Sequence, residues 1–360
     1  MTRLSRSVRI LPVALVAAAA FGALPGKAAT YEEVARLAGP DRQKILEDGA
    51  RKEGEVVWYT ALVAEVMRPV LDAYEKKYPF VKVKFVRADT ADTLQRVMAE
   101  RRANSVRVDV MDGGSDALKI SGAAQPFESP VVAGYPRHHV DADKTWVSTR
   151  SSWQGIAWNT KTVGAADAPK TWEALLDPKW KGKIAWGSSP ATGAPRLITH
   201  FRKIWGEQKA RDYLLKLKAQ EPRTLPGSIR AVLDQIIAGE MPIGISMAMH
   251  HIAISKDKGA PIDGTSPEPV LTRSDAVSFV KGAPHPHAGM LLIDFLLSAD
   301  DGQAALRDAQ YNPAHPAVKP LPILAWIQPS LIGKQEILLS PEEEAEYAPA
   351  SNDLYKELFR

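Results

Sequence analysis

Asp177 to Thr199 reads DPKWKGKIAWGSSPATGAPRLIT. Pro178 and Gly182 stop whatever precedes, and Lys183-Ile184-Ala185-Trp186 alternates like a half-buried strand. Gly187 to Gly193 is a turn rich in small and hydroxyl residues. From Ala194 onward Leu197, Ile198, Phe201, Ile204 and Trp205 recur at helical spacing. A helix start leaves backbone N–H groups without partners and carries partial positive charge. Ser189, Thr192 and Gly193 in front of it therefore have two readings. They cap their own helix, or they let a small anion approach its N-terminus.

The same grammar repeats on both sides. Toward the N-terminus, Tyr31 to Lys52 is helical and divided at Pro40, with Asp41 as a cap. Glu55 to Tyr59 is an apolar strand of the kind buried on both faces. Val63 to Tyr78 is a helix, kinked at Pro69 or starting nearer Met67. Val81 to Val86 alternates as a strand with one wet face, Asp89 to Asn104 is a helix, and Val108 to Met111 is a strand. Strands alternating with helices predict a mostly parallel α/β sheet, in which ligands bind beyond the C-terminal strand ends. Thr60, Ala61 and Ser115 stand there, with Gly113-Gly114 as bare backbone beside Ser115; their other reading is helix capping. After a loop-rich passage from Pro126 to Val147, Gly155 to Thr160 is a strand leaving one unit for another. Glu207 to Lys218 and Ser228 to Ala238 are helices and Pro242 to Met247 a strand, with Met249, His250 and His251 at its end. Val277 to Val280 leads back, and Pro286 to Leu297 and Gly302 to Asp308 are helices. The fold expected is α/β and two-lobed with two hinge crossings. Residues 29–152 and 277–360 form lobe 1 and 153–276 lobe 2, with a cleft that shuts around a ligand.

The 360 residues suit two domains, and a 45% apolar fraction suits packed cores. The formal net charge is +4, but Arg3, Arg6 and Arg9 supply most of it, so nucleic acid and a polybasic membrane patch are not expected partners. Those arginines, the apolar run Ile10 to Leu24 and the small residues before Ala28 read as a secretory signal over residues 1–28. Periplasmic location follows; the alternative is a retained anchor. The absence of cysteine excludes a disulfide framework and a thiol nucleophile. With no G-x-S-x-G and no H-E-x-x-H, an enzyme is not expected, although Asp112 and His250 remain acid–base candidates.

The stretches EGEVVWYTAL, GIAWNTKTV, PKTWEALLDPKWKGKIAWGSSPATGAP, AVLDQIIAGEMPIGIS and KGAPHPHAGMLLIDFLLSADDGQ, in this order, resemble the extracellular solute-binding proteins of ABC importers, specifically the subgroup that includes the periplasmic ferric-ion-binding proteins. The resemblance covers roughly Glu53 to Pro316. It implies a soluble receptor that delivers a solute to an inner-membrane ABC permease by Venus-flytrap closure, without covalent chemistry. It also implies an anion-holding loop at Ser189 to Ala194, a second-lobe residue at Ser228, and first-lobe contributions at Thr60 and Gly114-Ser115. Ferric-binding members carry adjacent tyrosines where this sequence has Met249 and His250, a histidine near Val63 and an acidic ligand near Gly114. Methionine, valine and glycine offer no hard oxygen for Fe³⁺. Related members without the tyrosines bind organic anions, so the resemblance implies a small anion such as a phosphonate or carboxylate as the ligand, with no metal, no cofactor and a monomeric protein expected.

Two alternatives stand beside this. One is a metal-binding protein using His250 in place of the tyrosines; the other is a ligand sensor for a membrane receptor. The adjacent His250 and His251 point about 100° apart on a helix and do not readily chelate one ion together. His250 is expected to hydrogen-bond ligand, and Tyr311 to reach the cleft from the hinge side. Arg230 is read as an exposed salt bridge or as a partner of a bound carboxylate or phosphonate. His285 and His287 are read as loop and capping residues, and Trp58, Trp158 and Trp186 as core or hinge, with Trp158 also able to present its ring to a ligand.

Overall fold

The computed structural model describes residues 29–360 apart from Asp89 and Ala191; the segment 1–28, read above as a secretory signal, lies outside the described residues. The chain runs α1 (Tyr31–Ala35), α2 (Arg42–Glu53), β1 (Glu55–Thr60), α3 (Ala64–Lys77), β2 (Lys82–Arg87), α4 (Thr90–Arg102), β3 (Val110–Asp112), α5 (Ser115–Ile120), β4 (Ala124–Gln125) and β5 (Val147–Asn159). It continues through β6 (Ile184–Gly187), α6 (Ala194–Trp205), α7 (Glu207–Ala219), β7 (Arg223–Leu225), α8 (Ile229–Ala238), β8 (Ile243–Ala248), α9 (Met249–Asp257) and β9 (Ile262–Thr265). Then follow β10 (Val270–Val280), α10 (Pro286–Leu297), α11 (Gly302–Asp308), β11 (Asn312–Pro313), α12 (Pro329–Ile332), β12 (Glu336–Leu338) and α13 (Pro341–Phe359).

The main path of the sheet is β2-β1-β3-β10-β5-β8-β6-β7. The outer trios are parallel within themselves, as βαβ crossovers require. Between them β10 and β5 run antiparallel to each other and to their neighbours on this path. These two long strands carry the chain between the halves, so the fold is a mixed α/β arrangement of two lobes on paired crossings.

Away from the edge strands β2 and β7, which keep exposed residues, each half-sheet is buried on both faces, and successive strand residues serve opposite clusters. In β1, Trp58 packs with Leu71, Tyr74, Leu292 and Phe295, while Tyr59 packs with Val97, Met111 and Leu118. In the second half Trp158 and Trp186 join Leu197, Phe201 and Tyr355, while Ala157 and Ala185 join Val232, Met247 and Ile252. All four residues of β6 are buried, so the half-buried alternation read from Lys183 to Trp186 is corrected: a helix covers each face. The helix read over Val63 to Tyr78 keeps Pro69 inside it and starts at Ala64 rather than near Met67. Asp41 holds the N-cap position of α2 without a side-chain cap bond.

The expected crossing strands are longer than read. β5 begins at Val147, not Gly155, and all thirteen of its residues are buried; β10 begins at Val270. Of the segment read as returning to lobe 1, α10 packs on α2 and α11 on α3, whereas α13 packs mainly on α6 of the other half, with lesser contacts to α7 and to α5 of the first. Arg202 of α6 holds α13 through the Tyr347 carbonyl and the Ser351 hydroxyl, both at 2.7 Å.

Candidate functional site

A cleft of about 130 Å³ opens where the two halves meet the crossing strands. Each helix and strand end delivers a definite group to it. At the front of α6 the expected cap is missing: Gly193 is the N-cap residue and no side chain accepts from the first turn. A Cβ on Gly193 would lie 2.2 Å from the Gly187 carbonyl oxygen, so only glycine fits this tight entry. Thr192 is 94% buried on the cleft wall, and its hydroxyl has no hydrogen-bond partner. A buried hydroxyl left unpaired is unfavourable by about 1–3 kcal/mol, unless something in the cleft completes it. α8 presents the second helix start. There Ser228 does cap, its hydroxyl accepting from the Ala231 N–H at 3.3 Å, and it retains a proton to donate toward the cleft.

The crossing strands supply charge. Opposite Asp275 and Ala276 the pairing of β5 jumps from Arg150 to Ser148. This bulge, with Thr149 as the extra residue, re-aims the strand. Arg150 is 3% exposed; its Nη1 lies 2.9 Å from both carboxylate oxygens of Asp112 and its Nε 3.5 Å from Asp275. Asp112 also accepts from the hydroxyls of Thr60 at 3.0 Å and Thr149 at 3.3 Å. Burial pushes the Asp275 carboxyl up, but Arg273, its ion-pair partner, and Arg150 outweigh that and hold it below the usual carboxylate range. Arg87 at the end of β2 and Arg230 in the first turn of α8 complete the cationic lining. Arg230 pairs with Asp234 at 2.8 Å; the Arg87 guanidinium has no partner among the described residues.

A third wall is neutral. The His250 Nδ1 lies 3.2 Å from the Ser152 hydroxyl, and its ring centroid is 4.6 Å from that of Tyr311. Burial, then the charges of Arg150, Arg273 and Arg230, push the His250 pKa down to about 3, so the imidazole is uncharged at neutral pH. His251 is likewise held far below its ordinary value, first by burial and then by His250. Its Nε2 lies 3.4 Å from the Tyr311 hydroxyl, and its Nδ1 is buried without a partner.

Of the ten residues read from sequence, Ala61, Thr192, Ser228, His250 and Tyr311 line this cleft together. The other five do not line it. Thr60 is fully buried and turns to Asp112 and the Leu62 N–H. Ser115 donates to the Ala276 carbonyl at 2.8 Å. Ser189 closes the turn as its carbonyl accepts from the Gly193 N–H at 2.7 Å, and Gly193 packs on Gly187. Met249 is buried beneath Gly155, where a Cβ would lie 2.5 Å from its sulfur. Sequence reading missed Arg87, Arg150, Ser152, Arg273 and Asp275, and it read Arg230 first as a surface salt bridge and second as a partner of a bound anion. The run Ser148-Thr149-Arg150-Ser151-Ser152 carried the available signal: a polar stretch directly preceding a recognised strand.

Comparisons with known proteins agree with this architecture. The chain is 27% identical over 273 residues to an uncharacterized protein of Haemophilus influenzae (strain Rd), covering 71% of this chain and 76% of that one. It is 24% identical over 261 residues to iron uptake protein A2 of Synechocystis sp. (strain PCC 6803), covering 68% and 74%. The periplasmic binding protein AfuA of Actinobacillus pleuropneumoniae, solved with fructose-6-phosphate bound, superposes with a TM-score of 0.73 at 24% identity over 85% of this chain and 98% of that one, a likeness of fold. By name the second is an iron uptake protein and the third a periplasmic binding protein. Residues 115–338 match the family described as bacterial extracellular solute-binding protein, well over half of the chain. The chain belongs to that family, the periplasmic solute-binding proteins of ABC transport, whose members bind a small ligand and work with a permease.

Proposed function

We propose that this protein captures a small organic anion in the cleft, encloses it by closure of the two lobes, and presents it to an ABC permease. The observation that carries this reading is the balance of charge on the cleft wall. Arg87, Arg150, Arg230 and Arg273 face it; Asp275 and, just off the wall, Asp112 and Asp234 pair with the last three, which leaves Arg87 as the uncompensated charge among the described residues. The open Thr192 hydroxyl at the uncapped start of α6 adds a donor where the helix dipole favours negative charge. A bare Fe³⁺ would meet four guanidiniums and one already paired carboxylate, with Tyr311 as the single phenol on the wall. That donor set does not suit a hard cation.

The moving parts in this reading are 29–152 with the 277–316 return as one lobe and 153–276 with α13 as the other, hinged on β5 and β10. Residues 1–28 act as the export signal, and the released protein is a monomer. A thermal-shift screen of residues 29–360 tests the reading, using inorganic phosphate, phosphonates, small carboxylates, Fe³⁺ and Zn²⁺. An anion at a hundred times its dissociation constant stabilises by about 2.7 kcal/mol, so at least one anion raises Tm while the metals leave it unchanged. A rise with Fe³⁺ or Zn²⁺ alone contradicts it.

A further inference from the structure

Resting on the anion reading above, we infer that the solute is a monoester-type dianion, a phosphoryl head on a neutral, hydroxyl-bearing body that carries no ammonium group. Three features of the cleft wall divide the work.

The head is specified by donors arriving from several directions. The starts of α6 (twelve residues) and α8 (ten residues) converge; from Gly187, a Cβ position would be 3.9 Å from both the Gly193 Cα and the Gly227 carbonyl oxygen. Thr192 adds its unpartnered, 94% buried hydroxyl, Ser228 a second hydroxyl and Arg230 a guanidinium. A planar carboxylate offers two acceptor oxygens in one plane. A tetrahedral phosphoryl group offers three splayed ones with nearly two charges, which suits the Thr192 and Ser228 hydroxyls, the start of α8 and the Arg230 guanidinium arriving from different sides.

The missing ammonium is read from the acidic side. Among the described residues the lining holds one carboxylate, Asp275, already paired with Arg273 and Arg150. Asp112, behind it, has both oxygens on Arg150. A zwitterion would bring its positive end beside the unpaired Arg87 and three arginines whose carboxylate partners are already engaged. Among the described residues the wall has no free carboxylate to receive it, which works as selection against such ligands.

The body is specified by the neutral wall. Ser152, His250, His251 and Tyr311 are each more than nine-tenths buried. An uncharged imidazole, a serine and a tyrosine each both donate and accept, which is what an alcohol hydroxyl needs from its partners. The His251 Nδ1, buried and unpaired, leaves such a position open.

Calorimetric titration tests this with residues 29–360 and a fixed panel. The panel holds glucose 6-phosphate, ribose 5-phosphate, glycerol 3-phosphate, inorganic phosphate, 2-aminoethylphosphonate, citrate and free glucose. At least one of the three esters binds tenfold or more tighter than inorganic phosphate, 2-aminoethylphosphonate and citrate, and glucose gives no heat. His250→Ala and Ser152→Ala, each checked for an unchanged unfolding transition, lower the ester's affinity tenfold toward that of phosphate and change phosphate binding less than twofold. Thr192→Ala lowers both. The inference is overturned if 2-aminoethylphosphonate or citrate matches the best ester, if no ester exceeds phosphate, or if His250→Ala and Ser152→Ala weaken phosphate and ester alike. Those results leave the anion reading standing; silence from every anion in the panel overturns both.

Discussion

Thr192 and Ser189 stand three residues apart in the same turn, and the structure separates their roles. The Thr192 hydroxyl is buried and unpaired on the cleft wall, whereas Ser189 contributes its carbonyl to the turn. A hydrogen bond to a charged partner is worth about 1.5–3 kcal/mol. Thr192→Ala therefore weakens binding of an anionic ligand at least tenfold and leaves the free protein as stable or more so. Ser189→Ala changes both by less than about 0.5 kcal/mol. Titration of the two variants side by side checks this, and equal effects would mean that the turn acts only as scaffold. Buried histidines set a second expectation. Burial lowers His139 to about 4, and burial with neighbouring arginines lowers His200 and His250 to about 3. A histidine whose folded pKa is depressed contributes stability that is complete above its unfolded pKa near 6.5 and is lost as pH falls toward the folded value. Each is worth up to about 1.4 kcal/mol per pH unit in that window. His285, raised by its bond to Asp109, has the opposite sign: its contribution is present in acid and lost as pH rises through its folded pKa. These three depressed groups, joined by His251, win, so the urea midpoint drops steeply between pH 6.5 and 4.5. His200→Gln flattens that slope; an unchanged slope would refute the assignment.

At the scale of elements, the hinge strands explain what was legible in the sequence and what was not. Helix starts and parallel-strand ends follow from local pattern, so Thr192, Ser228, Ala61 and His250 could be placed beside a cleft. β5 could not be read in full, because its first half faces a buried polar cavity rather than an apolar core. Its side chains from Ser148 to Ser152 carry no hydrophobic alternation, and the bulge at Thr149 breaks the period. Thr60 and Ser115 stand where a ligand-facing hydroxyl is expected but are spent inside, on Asp112 and on the Ala276 carbonyl. The sequence cannot reveal that choice, because it depends on partners fifty or more residues away. The Asp112–Arg150 pair joins β3 to β5 across β10 and is almost completely buried. Removing one member strands the other. Asp112→Ala therefore destabilises the unliganded protein by about 3 kcal/mol, while Asp112→Ala with Arg150→Met regains most of it. Urea unfolding of the three proteins checks this; a double variant no better than Asp112→Ala would place the stabilisation elsewhere.

For the whole molecule, the two lobes meet over a wall whose cations come from separate places: Arg87 from the first lobe, Arg150 and Arg273 from the crossings, Arg230 from the second lobe. A ligand that touches both lobes binds the shut form better than the open one, and only that difference drives closure. An anion fills this role because closing the empty cleft brings like charges together, whereas closing it on an anion does not. The alternating strands and helices were enough to predict the two-lobed architecture; the charge on its wall arises only when four distant segments meet. Arg87 is exposed and Arg230 half-buried, so neither is needed for folding. The most direct test of the account is calorimetric titration of wild type and the Arg87→Ala/Arg230→Ala double variant with the tightest anion from the screen. The account predicts that the double variant loses at least tenfold in affinity, with its unliganded Tm unchanged and the wild-type affinity falling as salt is raised. Equal affinity in the two proteins, or Fe³⁺ binding that strengthens when the arginines are removed, would contradict it.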